Sequence, residues 1–167
     1  MATTTINYAS PAPVTITYAS LADGGYREST AVDNSSNKYI DALVGGIVRI
    51  GSPTADGTIA IYAYGTYDGT EYTAGLDGSD GTITWGTTPS TTGVDGYLNL
   101  PLLGVISVDG TDDSDDARWG PFSVAQAFGG ILPQKWGVVI KNSTGASLHA
   151  TGTNNECQYM GIKFDVA

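Results

Sequence analysis

The residue types that perform covalent chemistry are rare and isolated in this sequence. The chain has one histidine, His149, and one cysteine, Cys157. A Ser–His–Asp site would also need a serine on a strained turn, and no G-x-S-x-G motif is present. Cys157 has no second cysteine with which to form a zinc motif or an internal disulfide. We interpret His149 as an exposed residue of a hairpin and Cys157 as a small buried hydrophobic residue.

Carboxylates are more numerous, and one acidic loop is a candidate calcium site. Four aspartates share this loop: Asp109, Asp112, Asp113 and Asp115. Calcium takes six to eight oxygen ligands, but an EF-hand would need a glycine where Ser114 stands and a closing glutamate. The alternative is a solvated acidic loop, and no cofactor is predicted. The three glutamates, Glu28, Glu71 and Glu156, lie in polar or turn-like sequence, which does not favour a glycosidase pair. The sequence therefore predicts a protein that is not an enzyme.

Aromatic side chains offer noncovalent chemistry, because their flat faces can stack on sugar rings. The residues of this kind that we considered are Trp85, Trp119, Trp136, Tyr62, Tyr64, Tyr67 and Tyr72. Trp136 alternates with Val138 and Ile140, which indicates a core position. We take Trp85, Tyr62 and Tyr64 as the candidate exposed contacts with a ligand. The alternative is that these residues serve strand formation and core packing.

Turn signals divide the chain into short segments. Asp-Gly occurs seven times and uses half of the fourteen aspartates. Both residues tolerate positive φ, so the pairs predict type I′ hairpin turns. Alternating or apolar runs between the turns predict strands at 14–18, 40–50, 58–64, 82–85, 97–108, 135–141, 146–151 and 158–164.

Details of these segments predict particular features. Gly45-Gly46 suggests a bulge in its strand. The run 97–108 is apolar on both faces in parts, which indicates a central strand broken near Pro101. The run 146–151 is expected to complete a hairpin with 135–141. Proline near the start and Gly129-Gly130 at the end predict a helix of about two turns within 120–130.

Many short strands and one short helix predict an all-β fold. We expect an antiparallel β-sandwich of jelly-roll type, formed by residues 14–167 as a single domain. Residues 1–13 are rich in threonine, alanine, serine and proline, and we expect them to form a flexible N-terminal arm. A chain of 167 residues is long enough for one self-sufficient core.

Charge and composition exclude several classes of partner. Seven basic residues against seventeen acidic ones give a net charge of −10. Phosphate backbones and anionic lipids repel such a surface, so neither nucleic acid nor a membrane is an expected partner. The first residues lack the basic and apolar regions of a secretory signal, and no run is long enough to span a membrane. We expect synthesis and folding in a reducing cytoplasm.

The last third of the chain resembles the head decoration, or cement, proteins of tailed bacteriophages. The resemblance lies in WGPFSVAQAFGGILPQKWGVVIKNSTGASLHATG, from Trp119, and in QYMGIKF, which ends at Phe164. The pattern is a short helix ending in Gly-Gly, then Leu-Pro, Trp-Gly-Val-Val and an Asn-x-Thr-Gly turn. This likeness concerns the style of the sequence, and the first hundred residues do not align with a particular member.

The resemblance implies a structural protein of the virion head surface, made in the host cytoplasm. Such a protein clusters as a homotrimer, binds the major capsid protein and stiffens the shell by bridging its subunits. We expect the N-terminal arm to supply capsid contacts through Thr3, Thr4, Thr5, Ile6 and Tyr8. The alternative is a receptor- or carbohydrate-binding domain of a phage tail fibre or appendage.

Overall fold

The chain forms two antiparallel β-sheets in the computed structural model, which describes residues 3–83, 99–152 and 155–166. The strands are β1 (Thr4–Tyr8), β2 (Ala12–Pro13), β3 (Tyr26–Glu28), β4 (Val32–Asp33), β5 (Asp41–Arg49), β6 (Gly57–Thr66), β7 (Gly81–Ile83), β8 (Leu102–Val108), β9 (Asp116–Ser123), β10 (Lys135–Ser143) and β11 (Glu156–Val166). The helical elements are one 3-10 turn, Thr73–Gly75, and one helix, α1 (Val124–Ala127).

The order of the strands is that of a jelly roll. Sheet A runs β1-β11-β5-β9, with β2 also paired to β11. Sheet B runs β7-β3-β10-β6-β8, with β4 also paired to β10. Eight strands remain when the short strands β2, β4 and β7 are left out. Counted in chain order, these eight strands lie in the order 1-8-3-6 across sheet A and 2-7-4-5 across sheet B. The predicted all-β sandwich of jelly-roll type is confirmed.

The main core lies between the two sheets and follows from period-two alternation. Val44 and Val48 of β5, Ile59 and Ile61 of β6, and Trp136 of β10 are fully buried there. The Trp136 ring packs edge-on against Tyr159 of β11, with 5.3 Å between ring centroids. Each such side chain contributes roughly 1.5–3 kcal/mol through burial. The predicted core position of Trp136 is confirmed.

Two predicted strands are absent from the sheets. Residues 14–18 alternate between buried and exposed, but they are not in a strand. Their backbone groups are satisfied elsewhere: Val14 N donates to Cys157 O, and Thr17 N donates to the Asp80 carboxylate. Residues 146–151 are also irregular, because Leu148 N donates to Leu21 O instead of to β10. The alternation at 14–18 correctly predicted which residues are buried, but the predicted strand is not formed.

Two other predictions were wrong in extent or position. Within the predicted run 97–108, residues 102–108 form β8, which lies at one end of the described strand order of sheet B. Helix α1 has one turn, because Phe122 and Ser123 still pair with β5. The Ser123 hydroxyl then accepts a hydrogen bond from Gln126 N and caps the helix. The predicted bulge at Gly45-Gly46 is confirmed by a register shift between β5 and β9.

The first residues form part of sheet A. Thr4 to Tyr8 pair with β11 along the whole of β1, and Ala12 and Pro13 pair with β11 as well. The expectation of a flexible arm was therefore wrong for these strands. Alternation of Ile6 and Tyr8 with polar residues, and the β-propensity of threonine, suit an edge strand.

The Asp-Gly pairs form turns by a route different from the predicted one. Glycine takes positive φ at Gly24, Gly69 and Gly78, but no aspartate among the described residues does. Instead, the carboxylates of Asp68 and Asp77 accept hydrogen bonds from backbone N–H groups two residues later. These are Asx turns, so the prediction of type I′ geometry was wrong for the described pairs.

Candidate functional site

The predicted aromatic contacts do not form an exposed cluster among the described residues. Tyr64 is fully buried, and its hydroxyl donates to Ser29 O. Tyr62 is half-buried on the same side of β6. The prediction of an exposed Tyr64 was wrong because both faces of sheet B are covered at this position. Trp85 lies outside the described residues.

The acidic loop does not gather its carboxylates into a metal site. Asp109 Oδ1 accepts hydrogen bonds from the Thr111 N–H and hydroxyl, and Asp112 Oδ2 accepts one from Asp109 N. Asp113 Oδ1 accepts one from the Ser52 hydroxyl. Within the described ranges, no three His, Cys, Asp or Glu side chains lie close enough together to hold a metal ion. The carboxylates of Asp109, Asp112 and Asp113 therefore form hydrogen bonds within the loop and with Ser52, and the backbone oxygen of Asp115 accepts a hydrogen bond from Ile50 N.

His149 and Cys157 occupy positions that do not activate them. Nδ1 of His149 accepts a hydrogen bond from Thr151 N at 3.0 Å, and the side chain is half-buried. Cys157 faces the main core, as expected, and burial raises the pKa of its thiol to about 12. The thiolate is therefore scarce at neutral pH.

One pair of acidic side chains was not expected from the sequence. Glu28 of β3 is only 5% exposed and interacts with Asp77. Burial is the larger cause and the side-chain hydrogen bond with Asp77 the next, and together they raise the pKa of Glu28 to about 8. The hydrogen bond from Glu28 lowers the pKa of Asp77. The pair therefore shares one proton at neutral pH. Glu28 Oε2 is buried and has no hydrogen-bond partner among the described residues.

The chain covers the outer face of sheet B around β3, β10 and the end of β6, whereas Leu102 and Val105 of β8 stay exposed on this face. Tyr64, Val139 and Leu100 form a second buried cluster on this side. The residues packed around it are Tyr26, Ala31, Tyr62, Tyr72, Ala74, Leu76 and Ile83. Glu28 pairs with Val139 and shares this face. The covering residues come largely from the connections that follow β3 and β6.

The outer face of sheet A is apolar and uncovered. In β11, Cys157 and Tyr159 point into the core, so the alternate residues point outward. Ile162 and Phe164 are two of these, and β1 places Tyr8 and Ile6 directly opposite them. Ile6, Tyr8 and Phe164 are 58%, 57% and 55% exposed. We call Ile6, Tyr8, Ile162 and Phe164 the outer apolar face.

The surroundings of the outer apolar face suit association with another protein. Strand β1 ends the described strand order of sheet A, so one of its edges is free to pair with a further strand. The charged neighbours Lys163 and Asp165 lie on the opposite side of β11 and pair with each other at 3.4 Å. The predicted contact residues Thr3, Thr4 and Thr5 are also exposed at this edge.

A cleft of about 420 Å³ lies beside the loop that follows β6. Tyr67 and Tyr72 line one side, and Phe128, Ile131 and Pro133 line the other. Its polar side chains are those of Thr66, Thr73, Gln134 and Glu71. Tyr67 is 88% exposed and Ile131 is 75% exposed. Sequence reasoning considered Tyr67 and Tyr72 together with the buried Tyr64, because residue type alone does not show which tyrosines are exposed.

Comparison with known proteins places the chain in no established group. No protein-family model, curated protein or solved structure matches it. None of the helices in the described residues has the length and hydropathy to cross a membrane.

Proposed function

We propose that this protein is a structural protein that decorates the head of a tailed bacteriophage. In this proposal it binds the outer surface of the shell and bridges neighbouring major capsid subunits. The proposal rests on the resemblance of residues 119–164 and on one structural observation. That observation is the outer apolar face, which the chain leaves uncovered next to the free edge of β1.

The uncovered face has the chemistry of a protein-binding surface. Large exposed apolar patches on a folded chain commonly mark sites of association. Ile6, Tyr8 and Phe164 together offer apolar area that would leave water on docking, and β1 offers backbone hydrogen bonds. Four of the five expected capsid contacts, Thr4, Thr5, Ile6 and Tyr8, belong to β1. The capsid contacts are then made by a preformed strand, which avoids the entropic cost of ordering a flexible arm.

Multiplicity would supply the strength of binding. A homotrimer presents three copies of the outer apolar face to a symmetric lattice. Once one copy is bound, the others bind at a high effective concentration. A modest contact per copy is then sufficient to retain the protein on the shell and to resist outward pressure. This mechanism needs no reactive side chain.

A capsid-binding experiment tests the proposal. Undecorated capsids of the phage that encodes the chain are mixed with the purified protein, sedimented and assayed for bound protein. We expect Ile6→Lys and Phe164→Lys to reduce occupancy strongly, because each places a charge within the apolar contact. Val105→Lys is the matched control, because Val105 is a 50% exposed strand residue of sheet B.

The outcomes separate the possibilities. Occupancy that falls for Ile6→Lys and Phe164→Lys but not for Val105→Lys supports the proposal. Wild-type protein that does not bind capsids would reject decoration of the head. Equal loss for all three variants would reject the outer apolar face as the specific contact. The trimer is tested separately by light scattering, where a monomer at micromolar concentration would contradict it.

A further inference from the structure

A second surface, remote in sequence from the outer apolar face, has the features of a ligand site. The cleft beside the β6 loop is flanked by Tyr67 and Ile131, the two most exposed of the large hydrophobic residues described. Neither side chain contributes much to the core, so folding alone does not explain their position. Exposed aromatic and aliphatic residues around a concave surface are typical of recognition sites.

The loop that carries Tyr67 is fixed in place before any ligand binds. The Asp68 carboxylate accepts hydrogen bonds from Thr70 N and Glu71 N, both at 2.8 Å, and from the Thr66 hydroxyl at 2.9 Å. Tyr72 packs edge-on against the buried Tyr64, with 5.6 Å between ring centroids. The side of the cleft formed by this loop is therefore preorganised, which reduces the entropic cost of binding.

The opposite side of the cleft packs closely on the backbone of β6. A side chain at Gly65 would place its Cβ 2.9 Å from Pro133 Cγ and 3.1 Å from Phe128 Cζ. Glycine at this position lets Pro133 and Phe128 lie against the strand, while Ile131 extends into solvent. The floor and both sides of the cleft are thus fixed by packing or hydrogen bonds.

Charge indicates which ligand the cleft would accept. Glu71 is the one charged residue that lines it, and none of its lining residues is basic. Among the described residues, no side chain forms a hydrogen bond or an ion pair with the Glu71 carboxylate. Lys135, whose backbone pairs with Thr66 on one side, lies opposite Asp33 of β4 on the other. The chain as a whole carries a charge of −10, which attracts cationic groups and repels anionic ones.

We propose that the cleft binds an arginine or lysine side chain presented by an extended segment of a partner protein. The aliphatic stem of such a residue would lie between Tyr67 and Ile131, and its cationic group would reach the Tyr rings and Glu71. The molecule already uses both kinds of contact. Lys141 Nζ lies 5.3 Å from the ring centroid of Tyr26, and Arg27 pairs with Asp80 at 2.7 Å.

Arginine fits the cleft better than lysine. Its planar guanidinium can stack on an aromatic face while it donates two hydrogen bonds to one carboxylate. Gln134 and Thr73, which also line the cleft, can accept further hydrogen bonds through their side-chain oxygens. This site is independent of the proposed capsid contact and could be present whether or not that proposal is correct.

Chemical-shift titration with short peptides tests the inference. The probes are Ac-Gly-Arg-Gly-amide, its lysine counterpart and the uncharged Ac-Gly-Gln-Gly-amide, each added to isotope-labelled protein at low salt. We expect the arginine peptide to shift amide signals of residues 65–73 and 131–134 at millimolar concentration. The lysine peptide should bind more weakly, and the glutamine peptide should produce no saturable shift.

Four variants identify the contacts. Tyr67→Ala should weaken arginine binding about two- to fivefold, whereas Tyr67→Phe should retain it, because the ring supplies the contact. Glu71→Gln should weaken binding by a similar factor and reduce its dependence on salt. Glu156→Gln is the matched control, because Glu156 is also exposed but does not line this cleft, and it should bind like the wild type.

Several results would overturn the inference. Shifts spread over the whole acidic surface, or unaffected by Tyr67→Ala and Glu71→Gln, would indicate nonspecific attraction. An absence of saturable shifts with either cationic peptide would reject the site. A neutral oligosaccharide that shifts the same amides equally in the wild type and in Glu71→Gln, where both cationic peptides fail, would identify a sugar site instead.

Discussion

The outer faces of the two sheets differ in how far the chain itself covers them. On sheet B, apolar residues such as Tyr64 and Val139 are fully buried by the chain's own connections. On sheet A, Ile6, Tyr8 and Phe164 form a similar apolar surface and stay more than half exposed. Both faces are rich in aromatic and β-branched residues, so composition does not distinguish them. The difference lies in whether a loop crosses the face, and the part of sheet B that no loop crosses also leaves Leu102 and Val105 at least half exposed.

This contrast separates residues that hold the fold from residues that are available to a partner. A face that the chain covers contributes to stability, and its polar groups must be satisfied internally. A face that the chain leaves open contributes little to stability and keeps its apolar area for association. Substitutions on the two faces should therefore have opposite consequences for folding and for binding.

Removing a large aromatic side chain from the covered face should have the largest effect. Tyr64→Ala is expected to lower the free energy of unfolding by about 3–5 kcal/mol, because it leaves a cavity and removes the hydrogen bond to Ser29 O. Tyr8→Ala, on the open face, should change it by no more than about 0.5 kcal/mol. Denaturation in urea measures both. Equal effects of the two substitutions would remove the distinction between the faces.

The acidic pair beneath the covered face should make stability depend on pH. The pKa of Glu28 is raised to about 8 in the folded protein, compared with about 4.3 when unfolded. The protonated acid favours the fold, so this contribution is complete at low pH and is lost as pH rises through about 8. The wild type should lose on the order of 2–3 kcal/mol between about pH 5 and 8.

Glu28→Gln tests this dependence, because an amide keeps the shape of the protonated acid without its titration. The variant should show a flat profile over the same range and exceed the wild type in stability near pH 8. Glu156→Gln serves as the exposed control and should follow the wild type. Parallel profiles for Glu28→Gln and the wild type would show that Glu28 does not hold a proton in the fold.

The smallest effect on folding is expected at the centre of the open face. Phe164→Ser should change the free energy of unfolding by less than about 0.5 kcal/mol, because Phe164 is 55% exposed. The same substitution should reduce self-association at high concentration, since it removes part of an apolar patch. Sedimentation velocity measures this change. A large loss of stability would mean that Phe164 is needed for packing within the chain.

The fold could be predicted from the sequence because jelly-roll strands carry a local signal. Alternation in β10 identified Trp136 as a core residue, and Gly45-Gly46 marked the bulge correctly. Residues 14–18 alternate equally well but form no strand, because strand pairing depends on distant backbone groups. Tyr64 appeared exposed because a pattern of period two reveals two faces and cannot show which of them a loop covers.

The candidate site was less accessible to sequence reasoning. Ile6 and Tyr8 were predicted to lie in a flexible arm, whereas they lie in the paired strand β1. Phe164 also belongs to the outer apolar face, although it is far from Ile6 in the sequence. Only the register between β1 and β11 brings the two residues opposite each other. The contact between Glu28 and Asp77 likewise joins a strand to a distant turn and has no local signature.

The most direct test of the central claim is an electron-microscopy map of capsids that carry this protein. We expect density for the sandwich on the outer surface of the shell, with β1 and Phe164 against the major capsid protein and the outer face of sheet B directed away from it. A map in which sheet B contacts the shell while Ile6, Tyr8 and Phe164 face solvent would contradict the account, as would the absence of the protein from the head.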